Sequence, residues 1–393
     1  MVALAAFRGL LYDPAVVGDL ASVTAPPYDV VLPHERDRLH RSSRYNIALV
    51  DLGADVEGAP EEKYTRAGRI LRRWREDGVL VPTEEAAVFP YEMAFGYRGE
   101  ARRVRGILAA VGLEPLAGGA IRPHERTMAA PVEDRLRLMR ATGADLSPIY
   151  AVAGGPIEPQ SELLDRAARR PPARELTDED GVVHRLWVEP LPDDLRRWYQ
   201  DQSLLIADGH HRYQTALAHR EERRSRDGPG SWDAALMLVV DAATEHPPVL
   251  PIHRVLRLER IPDLPGERVR GLEEVLARLA DDDLRFGAAF RSETGLTHLV
   301  GRLRGEAPTV AALHREVLDG LRDVLDLRFV PDAALAEAEV REGHADLALF
   351  LPPARVELVW QVAAAGRTLP QKSTYFWPKP RTGLVIRSLD PPP

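Results

Sequence analysis

The run Leu204-Leu-Ile-Ala207, followed at once by Asp208-Gly-His-His-Arg212, constrains this chain more than any other feature. A short apolar run bounded by polar residues reads as a buried strand. The residues after Arg212 keep a helical pattern to about 226, so the segment predicts strand, tight turn and helix in direct succession. Such a unit puts polar groups at the carboxyl edge of a sheet, where α/β proteins bind ligands. Gly209 permits the turn and a close backbone approach to a ligand, and a helix start favours an anion. Arg212 is suited to gripping phosphate oxygens with two parallel hydrogen bonds, and Asp208 to holding a divalent cation or a substrate hydroxyl. The bland alternative is a capped helix with Asp208 as N-cap and two incidental histidines. Five consecutive polar or glycine residues breaking out of an apolar strand are unusual for capping alone.

The remaining pattern supports an α/β (α+β) chain. Thr24-Ala-Pro-Pro-Tyr-Asp-Val30 is held extended by its double proline. Periodicity predicts helices over 61–77, 133–144 and 195–200, and strands over 88–95, 104–113, 147–152 and 182–188. The stretch 234–240 is the most apolar in the chain and should be a central strand. After 260 the texture changes. A Leu-Pro-Gly linker at 264–266 precedes helices expected over 272–280 and 311–325, and the stretches 345–351 and 355–363 read as paired strands.

Composition narrows the function classes. With 393 residues and 45% hydrophobic content, a real core and more than one folding unit are expected. A net charge of −8 leaves no cationic excess to coat nucleic acid, although a local patch for one nucleotide remains compatible. The absence of cysteine excludes disulfides, thiolate nucleophiles and Cys-ligated metals. No apolar run approaches the roughly 20 residues of a membrane span, and Met1-Val-Ala-Leu-Ala-Ala-Phe-Arg8 is too short for a secretory signal. The expected compartment is cytoplasmic, with no membrane partner. Arg outnumbers Lys, as in GC-rich bacterial genomes, so no single exposed arginine carries weight.

Other candidates are weaker alone. Pro123-His-Glu-Arg-Thr127 groups His124, Glu125, Arg126 and Thr127, with Glu125 suited to general-base work on a hydroxyl; a surface ion-pair cluster has the same composition. Tyr28 and Asp29 belong to a rigid turn or a binding element. Lys372, Ser373 and Thr374, with Lys379 beyond, read as a phosphate-binding loop or as a strand with edge lysines. His253 reads as structural. No HExxH, Walker loop, GxGxxG after a strand or G-x-S-x-G elbow is present.

Taken in order, Ala25-Pro-Pro-Tyr-Asp-Val30, Pro123-His-Glu-Arg-Thr127, Asp134-Arg135, Ile206-Ala-Asp-Gly-His-His-Arg-Tyr213, Leu250-Pro-Ile-His-Arg254 and Lys372-Ser-Thr-Tyr-Phe376 resemble the bacterial family catalogued as domain of unknown function 1015, from Phe7 to Leu389. More distantly, the His-Glu-x-Thr element and the later Asp-Gly-His-His-Arg are similar to free serine kinases built on the ParB-like fold. That resemblance implies a ParB-like mixed-sheet core with an N-terminal elaboration and a C-terminal α/β lobe. It divides the chain into a catalytic body over 1–260, with an insertion near 154–197, and a lobe over 261–393 that returns the Lys-Ser-Thr-Tyr-Phe motif. It implies Glu125 as base and Asp208 as a catalytic or magnesium-associated residue. Gly209, His210, His211 and Arg212 become a phosphate cradle; apart from the resemblance, Lys372, Ser373 and Thr374 are candidates for the same phosphates on their own composition. Tyr28, Asp29, His124, Arg126, Thr127 and Arg135 are the substrate-side residues. The implied cofactors are ATP or ADP with Mg²⁺, and the implied activity is phosphoryl transfer to a small hydroxyl-bearing molecule, with a free amino acid such as serine first among acceptors. A ParB-like nucleotide switch and a metal-dependent phosphodiesterase or nuclease are the alternatives.

Overall fold

A computed structural model describes residues 1–389 apart from 56, 57, 60, 117, 281–283, 294, 306, 307, 322 and 323. The chain forms two compact units, one from 1–123, 127–247 and 378–393, the other from 124–126 and 248–377.

The first unit is built on a nine-stranded mixed sheet. In chain order its strands are β1 (Leu4–Ala5), β2 (Phe89–Tyr97), β3 (Glu100–Gly112), β4 (Ile121–Arg122), β5 (Ile149–Ala153), β6 (Arg174–Thr177), β7 (Val183–Leu186), β8 (Leu204–Asp208) and β9 (Ala234–Asp241). They lie in the order β4, β8, β5, β9, β3, β2, β7, β6, with β1 paired to β3. The β8–β4 and β9–β5 ladders are parallel and β8–β5 and β9–β3 antiparallel. β9 is central, as its unbroken apolar run requires, and is buried from Ala235 to Asp241. Ile107, Ile149, Ile206, Met237 and Val239 share one core cluster.

Helices α1 (Pro33–Ser42), α2 (Ala48–Asp51), α3 (Glu62–Glu76), α4 (Ala129–Thr142), α5 (Glu158–Ala167), α6 (Asp193–Gln200) and α7 (His210–Asp227) complete the parts of this unit that matter here. Of the face its periodicity predicts, Tyr64, Ala67, Ile70, Leu71 and Trp74, α3 buries all but Ile70, which is half-buried. Gly68 lets α4 approach closely: a Cβ there would lie 2.2 Å from the Ala141 carbonyl oxygen.

The second unit carries a six-stranded sheet. Its strands are β10 (His253–Leu258), β11 (Glu267–Val269), β12 (Arg285–Ser292), β13 (Gly295–Arg302), β14 (Val324–Val330) and β15 (Leu347–Phe350), ordered β11, β13, β12, β15, β10, β14 and antiparallel throughout. Two expectations fail here. The segment expected as a strand over 355–363 is a helix, Val356–Ala364, and β15 pairs with β10 and β12 instead. Val359, Val362 and Ala363 are its buried positions, a helical spacing. The helix expected over 311–325 is also shorter. It runs Thr309–Leu313, continues as a π-helical turn His314–Leu318, and Val324 already opens β14. Leu325, Leu327 and Phe329 alternate there with Asp326 and Arg328, the period of a strand; residues 322 and 323 of that expectation lie outside the described residues. Among the described residues no helix is long and apolar enough to cross a membrane.

Candidate functional site

In the first unit the polar segment emerges where β8 ends. Ile206 pairs with Ala151 and Asp208 with Tyr150, so Ala207 is an extra residue and the strand bulges. Bulges re-aim side chains next to sites; here the next side chain is that of Asp208. Gly209 follows at φ 89°, and α7 begins at His210. Glycine is required twice over: the left-handed backbone disfavours a side chain, and a Cβ would sit 2.9 Å from Arg212 Nε. Gly209 is itself the residue that precedes the helix, with no side-chain cap, so Asp208 is not the N-cap of the alternative reading.

Instead, Asp208 is held between two cations. Its Oδ2 accepts from Arg212 Nη2 and its Oδ1 from Lys379 Nζ. Both cations are largely buried, at 9% and 8% side-chain exposure. Arg212 Nη1 donates to Ser147 Oγ at 2.9 Å and to the Pro148 carbonyl, while Nε is buried without a partner. Burial works against a charged Arg212, but the carboxylates of Asp208, Asp29 and Asp51 and the Tyr28 hydroxyl outweigh it and hold its pKa above the ordinary value. The arginine expected as a phosphate clamp is therefore braced by its own chain, with one donor in reserve. His210 is buried, and His211 Nε2 accepts from the Met128 N–H at 3.0 Å. Thr127 Oγ1 donates to Gln214 Oε1, so residues 127–128 are tied to α7.

Of the substrate-side candidates, this unit brings Tyr28 and Arg135 together. The Arg135 guanidinium lies 4.4 Å from the centre of the Tyr28 ring. Burial, then the charge of Asp29, pushes the Tyr28 hydroxyl up. Arg135 Nη1 donates to Asp51 Oδ1 at 2.9 Å, and its Nε and Nη2 donate to Asp134 Oδ2. Tyr28, Asp51, Arg135, Ser147 and Arg212 line one cavity of about 50 Å³. Asp51 and Ser147 escaped sequence reasoning. The available signals were an acid closing the apolar run Ala48-Leu-Val-Asp51 and a Ser-Pro step entering β5.

The surroundings of Asp208 do not fit a protein-held Mg²⁺. Its two oxygens face two cations, and among the described residues no three carboxylate or imidazole groups are arranged to hold a metal.

The second unit contains His124, Glu125, Arg126, Lys372, Ser373 and Thr374. The backbone N–H groups of Lys372, Ser373 and Thr374 converge on the Glu125 carboxylate at 3.0, 2.8 and 3.2 Å. Lys372 sits at φ 52°, so the loop is a small anion-binding concavity. The loop expected to take phosphate thus holds the chain's own carboxylate. His124, fully buried, meets Thr374 Oγ1 at 2.8 Å, and Arg126 Nε donates to Thr368 Oγ1 at 3.4 Å. Arg254 is fully buried; burial lowers its pKa to about 10 even with Glu125 opposing that shift.

His253 is the structural residue its sequence setting suggests. It is 1% exposed, its Nδ1 accepts the Leu351 N–H, and burial, then the Arg254 charge, lowers its pKa to about 4. The folded state therefore binds this proton less readily than the unfolded chain, whose histidine titrates near 6.5. Stability is full above that value and falls as pH drops from 6.5 towards 4, by on the order of 3 kcal/mol. Urea titrations at pH 7 and pH 4.5 should show this loss, and a His253→Asn chain should show a visibly flatter dependence.

The chain was compared with known proteins. No curated protein matches it. Among solved structures, a free serine kinase in complex with ADP is similar at 14% identity and a TM-score of 0.36, covering 67% of this chain and 89% of that one. A conserved hypothetical protein from Pyrococcus furiosus is similar at 15% identity and a TM-score of 0.35, covering 66% and 90%. SbnI with a C-terminal truncation, from Staphylococcus aureus, is similar at 12% identity and a TM-score of 0.35, covering 71% and 87%. The family model described as "Protein of unknown function (DUF1015)" matches residues 4–283, and the chain belongs to that family.

Proposed function

We propose that this protein is a cytoplasmic small-molecule phosphotransferase that binds ATP or ADP at the Asp208–Arg212 turn and passes a phosphoryl group to a hydroxyl. The observation that carries the reading is the Lys379–Asp208–Arg212 arrangement at the start of α7. Two buried cations converge on one carboxylate beside the start of a helix, so positive charge exceeds negative there, a setting matched to an anion. A nucleotide phosphate entering it competes with Asp208 for Lys379 Nζ and accepts from the unpartnered Arg212 Nε. As Lys379 turns to the phosphate, Asp208 Oδ1 is released to orient an incoming group. Phosphoryl transfer asks mainly for such positioning and charge neutralisation.

Glu125 takes the role of base toward the acceptor hydroxyl on the strength of its Pro-His-Glu-Arg-Thr setting. Serine and related hydroxyl-bearing amino acids are the first acceptors to try. A divalent ion, where used, belongs to the nucleotide substrate. That Asp208 and Glu125 are both engaged by the chain itself also favours a second reading, a nucleotide-binding switch without an acceptor. Tight nucleotide binding with no transfer to any acceptor distinguishes it. The test of the main reading is transfer of phosphate from nucleotide to a hydroxyl compound, with loss of that transfer in Asp208→Asn.

A further inference from the structure

The first unit has a larger cavity, of about 210 Å³, walled by α1, α2, α3 and α4. One water needs roughly 10–15 Å³ of such space, so the cavity has room for a small metabolite. Its charged lining comprises Arg36, Lys63 and Arg135 against Asp51, Asp55 and Asp134. Most of these charges are already paired. Lys63 Nζ lies 2.9 Å from Asp55 and 3.1 Å from Asp134, the Tyr64 hydroxyl donates to Asp134 at 2.7 Å, and Arg135 binds Asp51 Oδ1 and Asp134 Oδ2.

Two polar atoms of the lining remain buried without partners: Asp51 Oδ2 and Arg36 Nε. Asp51 is 5% exposed, and leaving a carboxylate oxygen there unsatisfied is costly. One atom is an acceptor and the other a donor. An apolar ligand would satisfy neither, a simple anion would face the Asp51 charge, and a simple cation would offer Arg36 nothing. Val50, Leu52 and Leu138 give the space between a short apolar wall.

We infer that this cavity is a binding site for a small zwitterion, a free amino acid with its ammonium against Asp51 Oδ2 and its carboxylate against Arg36. The site does not depend on phosphoryl transfer and exists whether or not the chain turns over nucleotide.

The test is a calorimetric titration of the full chain, without nucleotide, against free amino acids and their analogues lacking either the carboxylate or the amine. At least one amino acid binds, and its two analogues bind about tenfold or more weakly, the worth of one charge-assisted hydrogen bond. Asp51→Asn weakens the amino acid by a similar factor. Arg36→Leu, on a half-exposed helix position and so tolerated by the fold, removes the preference for the carboxylate. Binding unchanged in both variants, or no binding of any amino acid at millimolar concentration, overturns the assignment. Because nucleotide is absent throughout, the titration reads amino-acid binding apart from transfer: its failure removes this site and leaves transfer to other hydroxyl compounds to be decided by the transfer assay.

Discussion

Asp208→Asn is expected to destabilise the chain by about 3–5 kcal/mol and to abolish phosphoryl transfer. The wild-type carboxylate pairs with both Arg212 and Lys379, each less than a tenth exposed, and Asn removes that negative charge from between them. Breaking one side of a buried pair costs more than the pair is worth, since the abandoned charge has no solvent to return to. Replacing both Asp208 and Lys379, as Asp208→Asn with Lys379→Met, should therefore recover part of the loss. A double-mutant cycle from urea unfolding measures that recovery. Additive losses would show that Lys379 and Asp208 do not depend on each other. The stability and activity losses are also separable: Lys379→Met alone keeps Asp208 paired with Arg212 but weakens nucleotide binding, because the lysine is assigned to the phosphate.

Glu125→Gln gives the second large effect. The carboxylate gathers the backbone N–H groups of Lys372, Ser373 and Thr374, and Gln retains one acceptor oxygen for them. The Gln chain should lose about 1–3 kcal/mol, with Glu125→Ala losing more, as donors are left unsatisfied. Turnover separates anchoring from chemistry. A base acts through its proton affinity, so Gln should lower kcat by roughly 10²- to 10⁴-fold despite near-native shape. A residue that only anchors the loop would leave kcat in the Gln chain close to wild type, with the drop appearing only in Ala.

The candidate site is legible in the sequence where its causes are local. The β8 strand, the glycine turn and α7 follow from one apolar run, one residue without a side chain and one helical period within 204–226. What stayed hidden is long-range. Asp51 reads as an ordinary acid until Arg135, 84 positions later, is seen bound to it. Glu125 reads as a free base until the loop 247 to 249 positions later closes around it. Lys379 was visible as a cation, but its pairing to Asp208 spans 171 positions. The mixed α/β architecture was legible, and the error at Val356–Ala364 shows why residue preference is the weaker guide. β-branched residues favour strands only as far as packing allows, and here burial falls at helical spacing.

Phosphorus NMR of the purified chain, with Mg²⁺, ATP or ADP and a pool of hydroxyl-bearing amino acids and polyols, tests the central claim most directly. A new phosphomonoester resonance should grow with time in the wild type and be absent from Asp208→Asn. Nucleotide resonances that stay unchanged, or that yield only inorganic phosphate whatever the acceptor, would contradict it.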